Sequence, residues 1–193
     1  MRVRITTGIY PHHPSRNLTK ELDEIMLLLG HVANAWANIE DHMCTVFLHL
    51  AEVDEETAQI IFYTPSSFRG RLQIILNLVR HKLPDGTTRE ALVGVLDKLN
   101  KLNGTRNNFV HAHYGFTFYL DRHPSIGRTN IRPNTKIIKS EVDIKRNEME
   151  THLIKLTEIA QFFHFLIGSH FGDTVSLRRY VDMILNTSAA TSS

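Results

Sequence analysis

Apolar residues recur at steps of three and four positions from Leu22 to Leu50, and this spacing predicts a helix of about thirty residues that begins near residues 15–19. The pattern has one polar interruption, because Glu40 falls where an apolar residue is expected between Trp36 and Met43. An unpaired charge on a buried face costs several kcal/mol. We therefore expect Glu40 to meet a cationic side chain.

Four further helices are predicted from their start signals. The acidic triplet 54–56 begins a short helix, and a serine at position 66 or 67 caps a third helix, "FRGRLQIILNLVRHKL". Segments 87–90 and 147–150 both have capping-box spacing and begin the fourth and fifth helices. A last short helix is predicted around "SLRRYVDMIL".

The segment between the fourth and fifth helices has the texture of strands. "GFTFYLD" alternates apolar and polar residues, "KIIKSEVDI" is rich in β-branched residues, and turn formers separate the two. We predict a β-hairpin or small sheet inserted at 115–144. The predicted fold is mainly α: a helical bundle forming one domain over 1–185, with an N-terminal arm at 1–14 and a disordered tail at 186–193.

Composition indicates an ordinary globular chain. Of its 193 residues, 42% are hydrophobic and 22% charged, which suits one domain with a substantial core. The single cysteine, Cys44, excludes an intramolecular disulfide and is expected to fill the core. No apolar run reaches the ~20 residues that span a bilayer, and the N-terminus lacks a signal peptide. A cytoplasmic location with no membrane partner is therefore predicted.

Charge is segregated along the chain. Residues 20–56 carry nine acids against one lysine, whereas residues 121–146 carry seven lysines and arginines against three acids. The basic segment favours an anionic partner.

The stretch "RNNFVHAHY" at 106–114 interrupts the apolar face of the fourth helix. A polar face of this helix comprises Asn100, Asn103, Gly104, Asn107, His111 and Tyr114. Asparagine is a poor interior helix former, so this face needs another explanation. Arg106 falls on the apolar face itself, and we expect it to approach Glu40 directly or through water. The pair is either purely structural or serves to orient the guanidinium toward a phosphate.

Arg106 and His111 lie about 140° apart around an ideal helix, so one regular helix does not direct both at a small target. Two arrangements bring them together: a distortion of the helix near Asn108, or a symmetric dimer in which two copies of the stretch meet.

Arg106, Asn107 and His111 form the pattern Arg-Asn-x-x-x-His, which resembles the motif of the HEPN (higher eukaryotes and prokaryotes nucleotide-binding) superfamily. That motif is an arginine, four to six residues, and a histidine, often with a polar residue directly after the arginine. Some toxin-like members carry a tyrosine two residues after the histidine, where this chain has His113 and then Tyr114. The resemblance implies a helical bundle that dimerises, and in many members RNA cleavage without metal in a cleft lined by both motifs.

This resemblance implies Arg106 and His111 as catalytic residues, with Asn107, Glu40 and Tyr114 in support. The 2′-hydroxyl of RNA would attack phosphorus, His111 would move protons, and Arg106 would stabilise the phosphorane. No cofactor is expected. The partners implied are a second copy of the chain, RNA or a nucleotide, and, in a toxin or defence setting, an antitoxin protein. The RNA contacts expected in the basic segment are Arg122, Arg128, Arg132 and Lys136.

Two other functions fit the same residues: a non-catalytic HEPN-like dimer that binds nucleotide or RNA, and a helical protein-interaction module. Twelve histidines raise a metal hypothesis, with His111-x-His113 and His12-His13 as chelating pairs. No carboxylate lies at a familiar ligand spacing and there is no H-E-x-x-H, so no metal site is predicted. Dinucleotide-binding, P-loop and α/β-hydrolase signatures are also missing from the sequence.

Overall fold

A computed structural model describes the chain at 3–5, 16–118, 125–130, 142–143 and 146–169. Within these ranges, side chains are described at 20–112, 114 and 146–169.

Helices dominate the described residues, which confirms the prediction of a mainly α protein. They are α1 (Arg16–Ala51), α2 (Glu55–Tyr63), α3 (Phe68–Lys82), α4 (Thr87–Val110) and α5 (Arg146–Gly168). Two of the four predicted start signals act as caps: Asp54 accepts the backbone N–H of Thr57 at 2.9 Å, and Ser67 accepts that of Gly70 at 3.1 Å. Each cap satisfies an amide that the first turn of a helix leaves without a partner.

Four short strands are described: β1 (Val3–Ile5), β2 (Ala112–Phe118), β3 (Ser125–Asn130) and β4 (Val142–Asp143). They pair antiparallel in that order, with Tyr114 opposite Arg128. The connecting residues of the predicted insert, 119–124 and 131–141, lie outside the described residues. The insert at 115–144 as a unit therefore stays a prediction.

Several other predictions fall outside the described residues. They concern the arm at 1–14 apart from β1, the helix around "SLRRYVDMIL" and the tail at 186–193. Among the helices that are described, none combines the length and apolar character needed to cross a lipid bilayer.

The chain divides into two compact units. The first comprises Met1–Ala33 and Thr105–His152, and the second comprises Asn34–Gly104 and Leu153–Ser193. The prediction of a single domain over 1–185 is not tested by this division.

The first unit has a small apolar core where α1, α4 and α5 contribute residues. Its buried members are Leu22, Ile25, Phe109 and Met149, with Leu28, Leu29 and Tyr114 packed against them. The ring of Phe109 meets the edge of the buried His152 imidazole at a centroid distance of 5.4 Å. This aromatic contact fixes the last turn of α4, which carries the predicted motif.

The second unit has the larger set of buried side chains. Those with full burial and the greatest volume are Trp36, Ile39, Met43, Phe62, Ile75, Leu92, Leu96, Leu99, Leu156, Phe162 and Phe163. Trp36 packs edge-on against Phe68 at 4.7 Å, which joins α1 to the first turn of α3.

The predicted core face of α1 was displaced by one residue at three places, where the structure buries Ile25, Val32 and Ile39 and not the residue that follows each of them. Ile39, not Glu40, fills the position between Trp36 and Met43 and is fully buried, whereas Glu40 lies half-buried beside it. In the run "IMLLLG" consecutive apolar residues allow more than one face, and Ile25 is buried while Met26 is 38% exposed. With Ile39 at the centre of the buried face of α1, Glu40 lies at the edge of that face.

Candidate functional site

The end of α4 is a regular helix that carries Arg106, Asn107 and His111. The backbone N–H of His111 donates to the carbonyl of Asn107 at 3.1 Å, so the helical bonding continues one residue beyond Val110. A continuous helix holds Arg106 and His111 about 140° apart. Of the two arrangements considered, the helix distortion near Asn108 is therefore not found, and the symmetric dimer stays a prediction.

Arg106 and Asn107 contact each other through their side chains. The Nη1 of Arg106 donates to the Oδ1 of Asn107 at 3.0 Å, and both residues are half-buried. His111 is exposed at the end of the helix. The amide thus orients the guanidinium, while the imidazole is open to a partner.

Tyr114 anchors the turn that follows. Its hydroxyl donates to the carbonyl of Phe109 at 2.8 Å, and its ring packs against the core of the first unit. This bond satisfies a carbonyl that the end of a helix leaves without an intrahelical partner. Tyr114 therefore supports the position of His111 through the backbone between them.

Glu40 is bound by Arg71 of α3. Nη2 of Arg71 donates to Oε1 of Glu40, and the two side chains are only 15% and 19% exposed. Nη1 of Arg71 also donates to the carbonyl of Pro65 at 2.9 Å. The prediction that Arg106 pairs with Glu40 is corrected by this salt bridge, in which Arg71 supplies the guanidinium.

Arg71 was not predicted as the partner of Glu40, because Arg106 is the arginine that interrupts an apolar face in the sequence pattern. A signal was nonetheless present. Arg71 follows the buried Phe68 by three positions and precedes the buried Ile75 by four, so it lies along the inward side of α3. Two charges on inward-facing positions of different helices are natural partners.

Tyr63 of α2 contacts both Arg71 and Asp41. Its ring lies 5.8 Å from the guanidinium carbon of Arg71, and its hydroxyl donates to Oδ1 of Asp41 at 2.9 Å. Burial, then the hydrogen bond to Asp41 and the charge of that carboxylate, raise the pKa of Tyr63 far above its ordinary value. The phenol therefore stays protonated and acts as a donor.

A cavity of about 730 Å³ adjoins the same residues of α1 and α2. It is lined by Asp41, Cys44, Thr45, Leu48, His49, Glu55, Ala58, Gln59 and Tyr63. Burial, followed by the charges of Asp41 and Glu55, raises the pKa of the Cys44 thiol. The prediction that Cys44 is a core residue is confirmed by its burial, but the residue also borders this open space.

A second, smaller cavity of about 440 Å³ contains two histidines. The rings of His42 on α1 and His164 on α5 are 6.2 Å apart, and both residues line the cavity. Burial and then the charge of His164 lower the pKa of His42, while Asp41 opposes the shift. Burial and the neighbouring imidazole therefore favour the neutral form of His42.

The predicted basic RNA contacts lie almost entirely outside the described residues. Arg122, Arg132 and Lys136 are not described, and only the backbone of Arg128 is, within β3. Within the part of the chain that the structure describes, no three His, Cys, Asp or Glu side chains form a group able to hold a metal ion.

Comparison of the chain with protein-family models, curated proteins and solved structures finds no match.

The contribution of the Glu40–Arg71 salt bridge to stability can be tested by substitution. Glu40→Ala is expected to lower the free energy of unfolding by about 3 kcal/mol, because it leaves the guanidinium of Arg71 half-buried without its counter-charge. The double change Glu40→Leu with Arg71→Met should recover most of that loss. Glu150→Ala, which breaks the exposed pair with Arg146, is the control and should cost less than about 1 kcal/mol. Urea denaturation measures all three, and equal losses for Glu40→Ala and Glu150→Ala would contradict the assignment.

The lowered pKa of His42 can be tested by measuring how the free energy of unfolding depends on pH. Its pKa in the folded chain is below the ordinary 6.5, so the unfolded chain binds more protons as the pH falls through 6.5. The contribution of His42 to stability is therefore present above pH 6.5 and is lost toward the lower folded pKa. His42→Gln should flatten unfolding free energy against pH between 7.5 and 5, whereas the exposed His81→Gln should not. Parallel profiles for wild type and His42→Gln would refute the inference.

Proposed function

We propose that this protein is a metal-independent endoribonuclease of the HEPN type, with Arg106 and His111 as catalytic residues in a symmetric homodimer. The observation that carries the proposal is the arrangement at the end of α4. A half-buried guanidinium held by Asn107 and an exposed imidazole lie on one rigid helix, about 140° apart.

The regular helix favours two copies of the chain over one. A phosphate contacted by Arg106 of one protomer is out of reach of His111 on the same helix, so a second protomer would supply the imidazole. A two-fold axis close to the helix ends makes both Arg–His combinations equivalent. We therefore propose both that the fold is a HEPN-like helical bundle and that two copies of it form a homodimer.

The residue types suit cleavage of RNA. The 2′-oxygen attacks the adjacent phosphorus while His111 of one protomer accepts its proton, and the same imidazolium then gives a proton to the 5′-oxygen as it leaves. Arg106 offers two parallel N–H donors to the phosphorane oxygens, where negative charge accumulates. The products are a 2′,3′-cyclic phosphate and a 5′-hydroxyl. Asn107 positions the guanidinium and Tyr114 the turn.

RNA is the partner that this chemistry requires, because the nucleophile is the 2′-hydroxyl that DNA lacks. The basic residues at 122, 128, 132 and 136 would add salt-sensitive contacts to its backbone. A cytoplasmic setting and an antitoxin that covers the site complete the proposal.

The test is cleavage of a mixed RNA substrate in EDTA. His111→Gln and Arg106→Lys are each expected to lower the rate roughly 10²–10⁴-fold, since one removes the proton carrier and the other the paired donors. His81→Gln and Arg80→Lys, changes at exposed residues of α3 that have the same types as His111 and Arg106, are matched controls that should keep full activity. A substrate with 2′-deoxyribose at the cleavage position should be inert.

Cleavage that persists in His111→Gln, or none by the wild type, would remove the enzyme proposal. If the wild type binds RNA without cutting it, the non-catalytic dimer is the better account. The slope of affinity against salt then tests the basic segment, because neutralising Arg122, Arg128 and Arg132 should reduce it.

A further inference from the structure

Two histidines border one open cavity that residues of α1 and α5 line. Its volume is about 440 Å³, and its lining comprises His42, Thr157, Ala160, Gln161, His164 and Phe165. The rings of His42 and His164 are 6.2 Å apart between their centroids, and their planes are tilted by 53°. All of these residues belong to the second unit, so the cavity lies within one compact part of the chain.

Both imidazoles are available to a ligand. His42 is half-buried and His164 is exposed, and neither ring takes part in a hydrogen bond or a salt bridge among the described residues. Gln161 precedes His164 by three positions and lies on the same side of α5, where its amide likewise has no hydrogen-bond partner among the described residues. The cavity therefore brings two imidazoles and one amide oxygen to the same space.

The spacing of the two rings suits a shared metal ion. Imidazole nitrogen is a preferred donor for Zn²⁺, Ni²⁺ and Cu²⁺. With Zn–N bonds of about 2.0–2.1 Å, two imidazoles on one tetrahedral ion have ring centroids roughly 5 Å apart. The distance of 6.2 Å between His42 and His164 exceeds that value by about 1 Å, which a rotation of the exposed His164 side chain closes.

We propose that His42 and His164 bind one Zn²⁺ ion between α1 and α5. The amide oxygen of Gln161 and water take the remaining positions, because a tetrahedral ion needs more donors than the two histidines provide. This pair is smaller than the groups of three side chains that were not found among the described residues, and water completes it. The proposed ribonuclease uses none of these residues and acts in EDTA, so the two proposals are independent.

The ion should stabilise the folded chain. His42 and His164 come from the first and last of the described helices, which explains why no ligand spacing marks them in the sequence. Only the folded chain holds the two rings close together. Zinc that bridges them therefore binds the folded state in preference to the unfolded one and shifts the unfolding equilibrium.

The experiment measures unfolding in urea with and without Zn²⁺ at pH 7.5. The chain carries no affinity tag and is first freed of metal with a chelator, and the Kd for zinc comes from competition with a chromophoric chelator. With free Zn²⁺ at about ten times this Kd, the unfolding equilibrium constant should fall roughly tenfold. EDTA should reverse the effect, and Mg²⁺ at the same concentration should have none, because it prefers oxygen donors.

His42→Gln and His164→Gln each remove one imidazole and keep a polar side chain. Either change should raise the Kd at least about tenfold, which reduces the effect of zinc to about twofold or less. His81→Gln is the matched control, because His81 is exposed on α3 and does not border the cavity; it should keep the full effect. Each of the three variants lacks one histidine, so binding of zinc to the unfolded chain changes equally in all of them.

The effect of zinc is compared within each variant, so a change in basal stability does not enter, and circular dichroism checks that each variant is folded. The exposed His164→Gln decides the question if His42→Gln folds poorly. The proposal is overturned if zinc does not stabilise the wild type, or if His164→Gln keeps more than about half of the effect. It is equally overturned if His81→Gln loses as much of the effect as His164→Gln.

Discussion

One backbone hydrogen bond constrains the proposed active site: the N–H of His111 to the carbonyl of Asn107, at 3.1 Å. It extends helical geometry across the motif and holds the Arg106 and His111 side chains apart. Tyr114 secures the same turn from the other side by binding the carbonyl of Phe109. Because positions 106 and 111 lie about 140° apart around a regular helix, the chemistry that we propose uses a second chain.

The ion pair with Arg71 gives Glu40 a structural role, which differs from the role that we propose for Arg106. Glu40 is the acid that interrupts the apolar pattern of α1, and its requirement for a counter-charge is met within the second unit. The guanidinium of Arg106 donates to the side-chain amide oxygen of Asn107, so Glu40 and Arg106 have different partners. Within the second unit, the contacts of Arg71 continue through Tyr63 to Asp41 and the cavity that Asp41 lines.

Local signals predicted the helices well, since Asp54 and Ser67 act as caps through short-range bonds that depend on neighbouring residues alone. The position of Glu40 was misjudged because steps of three and four both fit between Trp36 and Met43, and only packing selects Ile39. Arg71 was missed because its partner lies thirty-one residues away in the chain, a pairing that tertiary structure alone determines. The cavity depends in the same way on how two helices meet, which no periodicity encodes.

The most direct test of the account is complementation between two inactive variants. Arg106→Gln and His111→Gln proteins are mixed, subunit exchange is confirmed by native mass spectrometry, and RNA cleavage is measured in EDTA. If Arg106 of one chain acts with His111 of the other, half of the dimers are mixed and each holds one intact site, so activity returns to about a quarter of the wild-type level. If the mixed dimers form and cleavage stays at the level of the separate variants, while wild type is active, the shared site is refuted.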